Sequence, residues 1–326
     1  MKAVIVDSPM GAFQTVDTPK PAPGPGEVLV KIAASAVNPL DTKIRAGAAG
    51  HARHPFPAIL GIDMAGTVEA VGADVQGFQP GDDVFGMTGG VGGVPGSLAD
   101  YAAVDARLLA KKPANLSMRE AAALPLIVIT AWEGLVDRAR IQAGQSVLIH
   151  GGAGGVGHVA VQVAKAFGAN VFATGKAADA DYIRSLGATP IDYKTAQVAD
   201  YVAQHTGGEG FDLVYDTVGG ATLDASFAAV KRFGHVVSCL GWGTHALAPL
   251  SFKAATYSGV FTLLPLLTGV GRERHGEILT DASRLIEKGQ LSPRLDPRAF
   301  TLDRLDEAHA IVAEGRGQGK VVVSVG

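Results

Sequence analysis

The chain has 326 residues, a formal net charge of −3 and one cysteine, Cys239. This length is sufficient for two domains, and a single cysteine excludes an intrachain disulfide and any metal site built from several thiolates. The absence of a long basic run argues against a nucleic-acid partner. Mean hydropathy is +0.23, but the longest apolar run, residues 121–132, is too short to cross a bilayer. We therefore expect a cytoplasmic protein with neither a membrane nor a nucleic-acid partner.

The first third of the chain is predicted to form a β module. Residues 1–11 (MKAVIVDSPMG) are typical of a first strand rather than of a signal peptide. Strand patterns follow in residues 26–38, 65–75 and 79–86, and Gly and Pro turn signals separate them. Short strands with frequent turns indicate a barrel-like or sandwich-like module.

The pattern changes to helix near residue 117. Ser117 is followed three residues later by Glu120, which is the pattern of a helix capping box. Pro125 is expected to divide this region into two helices, because proline interrupts a helix interior.

Strands and helices alternate from about residue 145 to residue 240, which predicts a parallel, doubly wound sheet. The predicted strands are SVLIHG, ANVFATG, TPIDY, FDLVYDTVG and GHVVSCLG. The C-terminal part returns to two helices and a final strand, GKVVVSVG. We therefore predict that the β module is split and that both ends of the chain belong to it.

The segment GGAGGVG, residues 151–157, contains the pattern G-x-G-x-x-G between a predicted strand and a predicted helix. The first turn of a helix carries unpaired N–H groups and the positive end of the helix dipole, which together bind a pyrophosphate. Gly154 and Gly155 would leave room for the phosphates, and Gly157 would let the helix pack closely. The sequence context favours a dinucleotide site over a simple tight turn. The predicted contacts are Gly152, Ala153, Gly154, Gly155, Val156 and Gly157.

The helix after this loop is predicted from apolar residues spaced along one face. These are Val156, Val159, Ala160, Val163, Ala164 and Phe167. Gly168 is expected to end the helix.

The end of the next strand predicts which dinucleotide is bound. An acidic residue there would hold the 2′-hydroxyl of NAD, but the chain has Thr174, Gly175 and Lys176. A hydroxyl and a cation suit a 2′-phosphate, so NADP(H) is the expected cofactor. Asp179 and Asp181 are expected in the first turn of the following helix. The alternative is that Lys176 is only a solvated surface residue.

Several segments in the same order resemble the medium-chain dehydrogenase/reductase superfamily, and within it the zinc-free quinone oxidoreductase group that includes zeta-crystallin. They include NPLDTKIRAG, GIDMAGTVEAVG, GGAGGVG, SLGATPIDYK and GKVVVSV. The resemblance implies an α/β fold in which a GroES-like β-barrel catalytic domain is split around a Rossmann domain. The implied boundaries are 1–122 and 266–326 for the catalytic domain and 123–265 for the Rossmann domain.

The resemblance also implies an activity and an assembly. The activity is hydride transfer from NADPH to a small-molecule electron acceptor, either a quinone or another activated alkene. Members of the group are commonly dimers or tetramers that pair through their Rossmann sheets. Residues 258–267 (SGVFTLLPLL) would lie near that interface, unless they simply belong to the core.

The resemblance assigns Asn38 and Thr130 to positions beside the nicotinamide, and these are the two residues predicted to act in catalysis. Tyr193 matches a tyrosine beside the adenosine 2′-phosphate. The structural alternatives are an Asn-Pro turn, a helix-interior threonine and a half-buried tyrosine at a strand end. Residues after two parallel strands complete the predicted cofactor contacts, because ligands bind at the carboxyl ends of such strands. They are Val218, Cys239, Leu240 and Gly241.

No metal is expected. The positions of the zinc ligands in zinc-dependent relatives are occupied here by Asn38 and by the pair Ile62 and Asp63. The alternative is a site formed by His51 and His54 together with Asp63.

The chain departs from its relatives at two positions. The loop 48–57 lacks a tyrosine that some relatives carry, so no proton donor is assigned, and Ala178 stands where relatives often have a lysine. The sequence is compatible with two other functions. One is an enoyl-thioester reductase, and the other is a non-catalytic NADPH-binding protein.

Overall fold

The computed structural model describes all 326 residues and divides them into two compact units. Unit 1 comprises residues 1–126 and 263–326, and unit 2 comprises residues 127–262. The sequence prediction places these boundaries after residue 122 and before residue 266. No helix in the chain combines the length and the apolarity needed to span a membrane.

The strands and helices are numbered in chain order. The strands are β1 (Lys2–Val6), β2 (Gln14–Asp17), β3 (Glu27–Val37), β4 (Ala58–Ile59), β5 (Asp63–Val71), β6 (Asp83–Met87), β7 (Tyr101–Asp105), β8 (Leu109–Lys111), β9 (Ser146–His150), β10 (Asn170–Gly175), β11 (Thr189–Asp192), β12 (Phe211–Asp216), β13 (Val230–Ser238), β14 (Thr256–Gly259), β15 (Phe300–Thr301) and β16 (Val321–Ser324). The helices are α1 (Pro39–Arg45), α2 (Met118–Ala122), α3 (Pro125–Trp132), α4 (Gly155–Ala166), α5 (Ala180–Ser185), α6 (Val198–Thr206), α7 (Ala221–Ala229), α8 (Ala248–Lys253), α9 (Leu264–Thr268), α10 (Arg272–Glu287) and α11 (Leu305–Ala313).

Unit 1 contains a three-stranded sheet in the order β2-β1-β4 and a seven-stranded sheet in the order β15-β16-β3-β5-β6-β8, with β7 also paired to β3. The long strand β3 organises the larger sheet, because it pairs antiparallel with β16, β5 and β7. Two register shifts in its pairing with β5 mark irregularities that bend such strands. The core between the strands consists mainly of buried valines, with Ile32, Met64 and Leu109.

The two ends of the chain meet in this unit. β16, near the C-terminus, pairs with β3, and Val321 lies opposite Val37. The prediction of a β module split around the middle of the chain is therefore confirmed. This pairing also brings the residue before β16, Lys320, next to the residue after β3, Asn38.

The predicted capping box begins α2. The Ser117 hydroxyl donates to Glu120 Oε2 at 2.7 Å, and the Glu120 N–H donates back to Ser117 Oγ at 3.3 Å. Pro125 begins the separate helix α3, as predicted.

Unit 2 contains a six-stranded, fully parallel sheet in the order β11-β10-β9-β12-β13-β14. The chain starts at the centre with β9, builds outward through β10 and β11, and then crosses over to β12. The predicted parallel, doubly wound sheet is confirmed. The edge strand β14 was not predicted, because its sequence TYSG has neither an apolar run nor an alternating pattern.

Helix α4 is more deeply buried than its one-sided apolar pattern predicts. All eight residues from 157 to 164 are buried, including His158 and Gln162. His158 Nδ1 contacts the Gly154 carbonyl oxygen at 2.9 Å, and Gln162 Nε2 donates to the His158 carbonyl oxygen at 3.1 Å. These local bonds let polar side chains lie on a buried face. Gly168, with φ of +80°, follows the end of the helix as expected.

Candidate functional site

In the turn between β9 and α4, packing requires glycine at two positions. A Cβ at Gly157 would lie 2.0 Å from the Gly151 carbonyl oxygen, and a Cβ at Gly152 would lie 2.5 Å from Ala173 Cβ on β10. Neither position accommodates a side chain without moving the backbone or the neighbouring strand. The close packing expected of Gly157 is therefore found, and its contact is with the Gly151 carbonyl of the same turn.

Gly154 and Gly155 lie in more open surroundings. A Cβ at Gly154 would approach the Gly151 carbonyl oxygen to 3.1 Å, and one at Gly155 would come no closer than 3.7 Å to Ile127 Cγ2. The protein's own packing therefore does not require glycine at residue 155. A ligand that approaches the backbone does require the absence of a side chain there.

Helix α4 offers free donors at this end. Its first hydrogen bond runs from His158 N to the Gly154 carbonyl oxygen at 3.0 Å. The N–H groups of Gly155, Val156 and Gly157 precede that bond and have no acceptor in the chain. Three such donors at the positive end of a 12-residue helix, next to two glycines that carry no side chains, fit a pyrophosphate.

The residues at the end of β10 divide into one that supports the turn and one that is exposed. Thr174 is buried, and its Oγ1 accepts the Gly151 N–H at 3.1 Å and contacts His150 Nδ1 at 3.3 Å. Its hydroxyl therefore holds the glycine turn and does not face solvent. Lys176 is exposed, and its own N–H donates to Asp179 Oδ2 at 3.3 Å. Lys176 is the cation that this strand end offers to a ligand.

The remaining predicted contacts in unit 2 follow the carboxyl ends of their strands. Tyr193 follows β11 and Val218 follows β12, and both are exposed. Cys239, Leu240 and Gly241 follow β13. Together with the glycine turn and Lys176 they lie along one edge of the sheet, which is where parallel sheets bind ligands.

A buried carboxylate that the sequence analysis did not select holds this edge together. Asp216, the last residue of β12, is fully buried. It accepts the N–H groups of Val218 at 3.0 Å and Gly219 at 2.9 Å, and the Ser238 hydroxyl at 2.8 Å. Asp216 therefore fixes the turns after two adjacent strands. The sequence signal that could have identified Asp216 is a carboxylate at the end of an apolar strand.

Cys239 lies in surroundings that suppress its reactivity. Burial raises the pKa of its thiol to about 12, and the charge of Asp216 acts in the same direction. Its Sγ is directed to the Asp216 carbonyl oxygen at 3.8 Å. Because the thiolate is the nucleophilic form, this arrangement favours a packing role.

Thr130 is held by a second residue that the sequence analysis missed. The Tyr215 hydroxyl donates to the Thr130 carbonyl oxygen at 2.6 Å. Burial raises the pKa of Tyr215 well above its ordinary value, so the phenol remains a donor. The helix continues as a π-helix over Glu133–Arg138, where a Cβ at Gly134 would lie 2.6 Å from Tyr215 Cζ. Tyr215 thus fixes the last turn of α3 and requires a glycine opposite its ring.

Unit 1 contains a buried polar cluster made of Asn38, Asp41, Asp63 and Lys320, whose exposed fractions are 1%, 1%, 0% and 7%. Asn38 Nδ2 donates to Asp63 Oδ2 at 2.9 Å, and Lys320 Nζ donates to Asn38 Oδ1. Lys320 Nζ also lies 3.8 Å from Asp63 Oδ2. The amide of Asn38 therefore lies between a carboxylate and an ammonium group.

The two carboxylates of this polar cluster also bind backbone groups. Asp41 accepts the N–H groups of Asn38 at 2.8 Å and Gly61 at 3.2 Å, and Asp63 Oδ1 accepts that of Leu126 at 2.9 Å. Burial raises the pKa of Asp41 to about 7 and that of Asp63 to about 6. Burial likewise lowers the pKa of Lys320, against the opposing charges of the two carboxylates. None of the three groups reaches bulk water. The charged carboxylates and the charged ammonium therefore stabilise one another.

The alternative metal site is not assembled. No group of three or more His, Cys, Asp and Glu residues in the chain is placed to hold a metal ion. His54 Nδ1 accepts the Gly93 N–H at 3.3 Å, while Asp63 is engaged by Asn38 and Leu126.

Comparison with known proteins identifies the family. Residues 24–114 match the alcohol dehydrogenase GroES-like domain, and residues 186–323 match a family described as zinc-binding dehydrogenase. A 2-methylene-furan-3-one reductase from Solanum lycopersicum is 38% identical over 305 residues, which cover 91% of this chain and 71% of that protein. The chain belongs to the medium-chain dehydrogenase/reductase superfamily.

Other members of this superfamily give the same assignment. An NADPH-dependent alkenal/one oxidoreductase of Arabidopsis thaliana, described as chloroplastic, is 35% identical over 91% of this chain and 72% of that protein. An alcohol dehydrogenase superfamily protein from Novosphingobium aromaticivorans has 60% identity and a TM-score of 0.98, with both chains fully covered. The CurK enoyl reductase has 28% identity and a TM-score of 0.87 over 100% of this chain and 99% of that one. The superfamily assignment makes this chain an oxidoreductase related to NAD(P)H-dependent enzymes.

Proposed function

We propose that the protein is a metal-independent, NADPH-dependent reductase of activated alkenes, with an enone or a quinone as its acceptor. The observation that carries the proposal is the N-terminus of α4, where three N–H groups have no acceptor and the adjoining Gly154 and Gly155 present no side chain. The tomato and Arabidopsis relatives support the enone as acceptor, because one is described as a 2-methylene-furan-3-one reductase and the other as an alkenal/one oxidoreductase.

We assign dinucleotide binding to the Rossmann domain, residues 123–265, and the catalytic domain to residues 1–122 and 266–326. In the first of these, the N–H groups of Gly155, Val156 and Gly157 hold the pyrophosphate, with Gly152, Ala153 and Gly154 forming the approach. Lys176 pairs with the 2′-phosphate, and Tyr193 packs beside the adenosine. The cofactor contacts along the carboxyl edge of the sheet are Val218, Cys239, Leu240 and Gly241. Thr174 and Gly175, at the end of β10, complete the site beside the glycine turn.

When bound, NADPH supplies a hydride from C4 of its nicotinamide ring. Asn38 and Thr130 are the two residues that we propose to position the reactants, through the amide N–H of the first and the hydroxyl of the second. Without a metal, the acceptor carbonyl would be polarised by hydrogen bonds, and the chain would contribute mainly the orientation of the reactants. Reduction of an enone would add this hydride to the β-carbon, and the α-carbon would take a proton from water. With water as the proton source, the reaction needs no side-chain acid.

A second candidate is an enoyl-thioester reductase. The specific observation in its favour is the similarity to the CurK enoyl reductase over the whole chain. The two candidates share the cofactor and the hydride step and differ in the acceptor. A protein that binds NADPH without turnover is the third possibility.

The test is NADPH consumption, followed anaerobically, with a benzoquinone, a simple enone and a crotonyl thioester as acceptors and with NADH as the control cofactor. We expect turnover of the enone or the quinone and a preference for NADPH. Turnover of the thioester alone would support the second candidate. Tight NADPH binding without any turnover would contradict the reductase proposal.

A substitution at Lys176 tests the preference for NADPH over NADH. Lys176→Gln should raise the KM for NADPH about tenfold and leave that for NADH unchanged, since one charge-assisted contact is lost. The exposed Lys288 belongs to unit 1, and Lys288→Gln is the matched control. An equal effect of Lys176→Gln on both cofactors would exclude the assignment of Lys176 to the 2′-phosphate.

We also propose that the chain forms a homodimer or homotetramer through unit 2. Its sheet ends at β14, which has only β13 as a neighbour, and Tyr257 on that strand is partly exposed. An edge strand offers unpaired backbone groups to a second copy. Sedimentation analysis should find an oligomer that Tyr257→Lys weakens, and a monomeric wild-type protein would exclude this assembly.

A further inference from the structure

We propose that Lys320 is a positioning residue for Asn38. Together with Asp63 it fixes the orientation of the Asn38 amide, so that one Nδ2–H remains as the donor for a ligand carbonyl. The role given to Asn38 rests on the proposed function, whereas the fixed orientation of its amide does not.

The chemistry of the two neighbours determines how the amide is oriented. A lysine ammonium donates only, and an ionised carboxylate accepts only. Lys320 therefore faces the amide oxygen of Asn38 and Asp63 faces its nitrogen, as the structure shows. A flipped amide would place two donors together at Lys320 and two acceptors together at Asp63. Many asparagine amides are held by partners that tolerate both orientations, but this pair permits only one.

One hydrogen of this amide has no partner in the protein. Asn38 donates its backbone N–H to Asp41 Oδ2, and its carbonyl oxygen accepts from Thr42 N at 3.4 Å. Its Oδ1 accepts from Lys320, and its Nδ2 makes one bond, to Asp63. The nitrogen carries two hydrogens, so the second is unused on a side chain that is 1% exposed. An unpaired buried donor is unfavourable unless a ligand accepts from it.

Both backbone polar groups of Lys320 are hydrogen-bonded, and these bonds fix the position of its Cα. Its N–H donates to the Arg294 carbonyl oxygen at 2.8 Å, and its own carbonyl oxygen accepts from Asp296 N at 2.9 Å. The preceding Gly319 is packed so that a Cβ would lie 2.5 Å from the Arg294 carbonyl oxygen. The pairing of β16 with β3 then places the ammonium group against Asn38. The arrangement is therefore built into the sheet.

A purely structural role for Lys320 would be neutralisation of its ion-pair partner, Asp63. The double variant Lys320→Met with Asp63→Asn separates the two roles, because it removes one positive and one negative charge. Replacing both members of a buried pair is often close to neutral for stability, whereas removing one is not. A structural role predicts recovery of both stability and activity in the double variant.

The positioning role predicts recovery of stability without recovery of activity. In the double variant the introduced amide must keep its oxygen toward the Leu126 N–H, which Asp63 Oδ1 accepts at 2.9 Å. Its NH2 group then faces Asn38 and turns the Asn38 oxygen toward residue 63. We expect kcat to fall about 10- to 100-fold, as for a misplaced catalytic group, while the Kd for NADPH stays within about twofold. The single variant Lys320→Met should have a lower melting temperature than both the wild type and the double variant.

A spectroscopic measurement tests the amide directly and does not depend on turnover. The chain has three asparagines, so ¹⁵N-asparagine labelling gives three side-chain amide signals. Asn115 in unit 1 and Asn170 in unit 2 each donate to one backbone carbonyl oxygen and serve as internal references. The Asn38→Ser variant assigns the third signal. In the wild type we expect two well-separated Asn38 amide protons that exchange more slowly than those of exposed Asn170. In the double variant the Asn38 signals should move while the references stay.

The outcomes separate this inference from the proposed function. Asn38 protons that exchange as fast as those of Asn170 in the wild type would overturn the fixed orientation, whether or not the double variant folds. A folded double variant with wild-type kcat would overturn the positioning role. Absence of turnover in the wild type, with slowly exchanging Asn38 protons, would contradict the proposed function but leave the fixed amide established.

Discussion

The candidate site of unit 2 is made of backbone, whereas the polar cluster of unit 1 is made of buried side chains. In unit 2 the candidate ligand-binding groups are N–H donors at one helix end, where Gly154 and Gly155 carry no side chains. In unit 1 the buried Asn38 amide bonds to Asp63 and Lys320, and the buried Asp41 carboxylate accepts backbone N–H groups beside it. A backbone site is encoded within a short segment and should lose binding when a side chain is added. A side-chain site is assembled from distant segments and should lose stability when one member is removed.

The largest effect expected from this difference is on the stability of unit 1. Asp63→Leu leaves the Lys320 ammonium buried without its nearest carboxylate and also removes the acceptor of the Leu126 N–H. Removing one partner of a buried ion pair should lower the free energy of unfolding by about 3–5 kcal/mol, measured by denaturant titration with circular dichroism. The control is Asp181→Asn, which breaks the exposed pair with Arg184 and should change stability by less than about 1 kcal/mol. A loss of similar size in both variants would contradict the side-chain account.

The second effect is on cofactor binding in unit 2. Gly154→Leu places a side chain over the N-terminus of α4 and should weaken NADPH binding by about 100-fold or more, or about 2.7 kcal/mol. Stability should fall by only about 1 kcal/mol, because the nearest contact of the added Cβ is a single oxygen at 3.1 Å. Titration of NADPH fluorescence measures the affinity. Gly50→Leu, at an exposed glycine of unit 1 with open space around it, is the matched control. Unchanged affinity in Gly154→Leu would show that the glycine turn does not hold the phosphates.

The third effect is a pH dependence that can be assigned to unit 2. Both tryptophans, Trp132 and Trp242, lie in unit 2, so their fluorescence follows its unfolding. Burial lowers the pKa of His150 to about 4. The folded state therefore binds fewer protons than the unfolded state between about pH 6.5 and about pH 4, and stability falls as the pH decreases through that range.

His150→Gln should remove this contribution. At about pH 5 the wild type should have lost about 2 kcal/mol relative to neutral pH through His150 alone. His205 and His235, whose pKa values burial also lowers, remain in both proteins, so the difference between wild type and variant isolates His150. Identical pH profiles for the two proteins would contradict a buried neutral imidazole at the end of β9.

The smallest effect concerns Thr130. Tyr215→Phe removes the hydrogen bond to the Thr130 carbonyl oxygen and should lower the stability of unit 2 by about 1 kcal/mol. We expect a lower kcat with an unchanged KM for NADPH, because only the position of Thr130 is altered. Tyr201→Phe, at another buried tyrosine of the same unit, is the control. A kcat equal to that of the wild type would show that this hydrogen bond does not position Thr130 for the reaction.

Sequence reasoning predicted unit 2 better than unit 1, and the reason is physical. The glycine turn, its strand and its helix are contiguous, so local pattern predicts both their structure and the donors that they expose. Asp216 and Tyr215 were missed, since their roles depend on the neighbours of β12 across the sheet. The edge strand β14 was missed because its four residues, three of which are exposed, leave no hydrophobic pattern.

The polar cluster of unit 1 was not predictable in the same way. Asn38 and Lys320 are 282 positions apart, and only the pairing of β16 with β3 brings them together. Asp63 was considered only as a candidate metal ligand, and Asp41 was not selected, because an Asp near a helix start is ordinary in sequence. Burial gives these residues their significance, and no local pattern encodes it.

The most direct test of the proposed reaction is to follow the hydride itself. NADPH carrying deuterium at C4 of the nicotinamide is incubated with the protein and an enone in ordinary water, and the reduced product is examined by NMR. The account predicts deuterium at the β-carbon of the product and hydrogen from water at the α-carbon. A reduced product without deuterium from either C4 position, or deuterium at the carbonyl carbon instead, would contradict it.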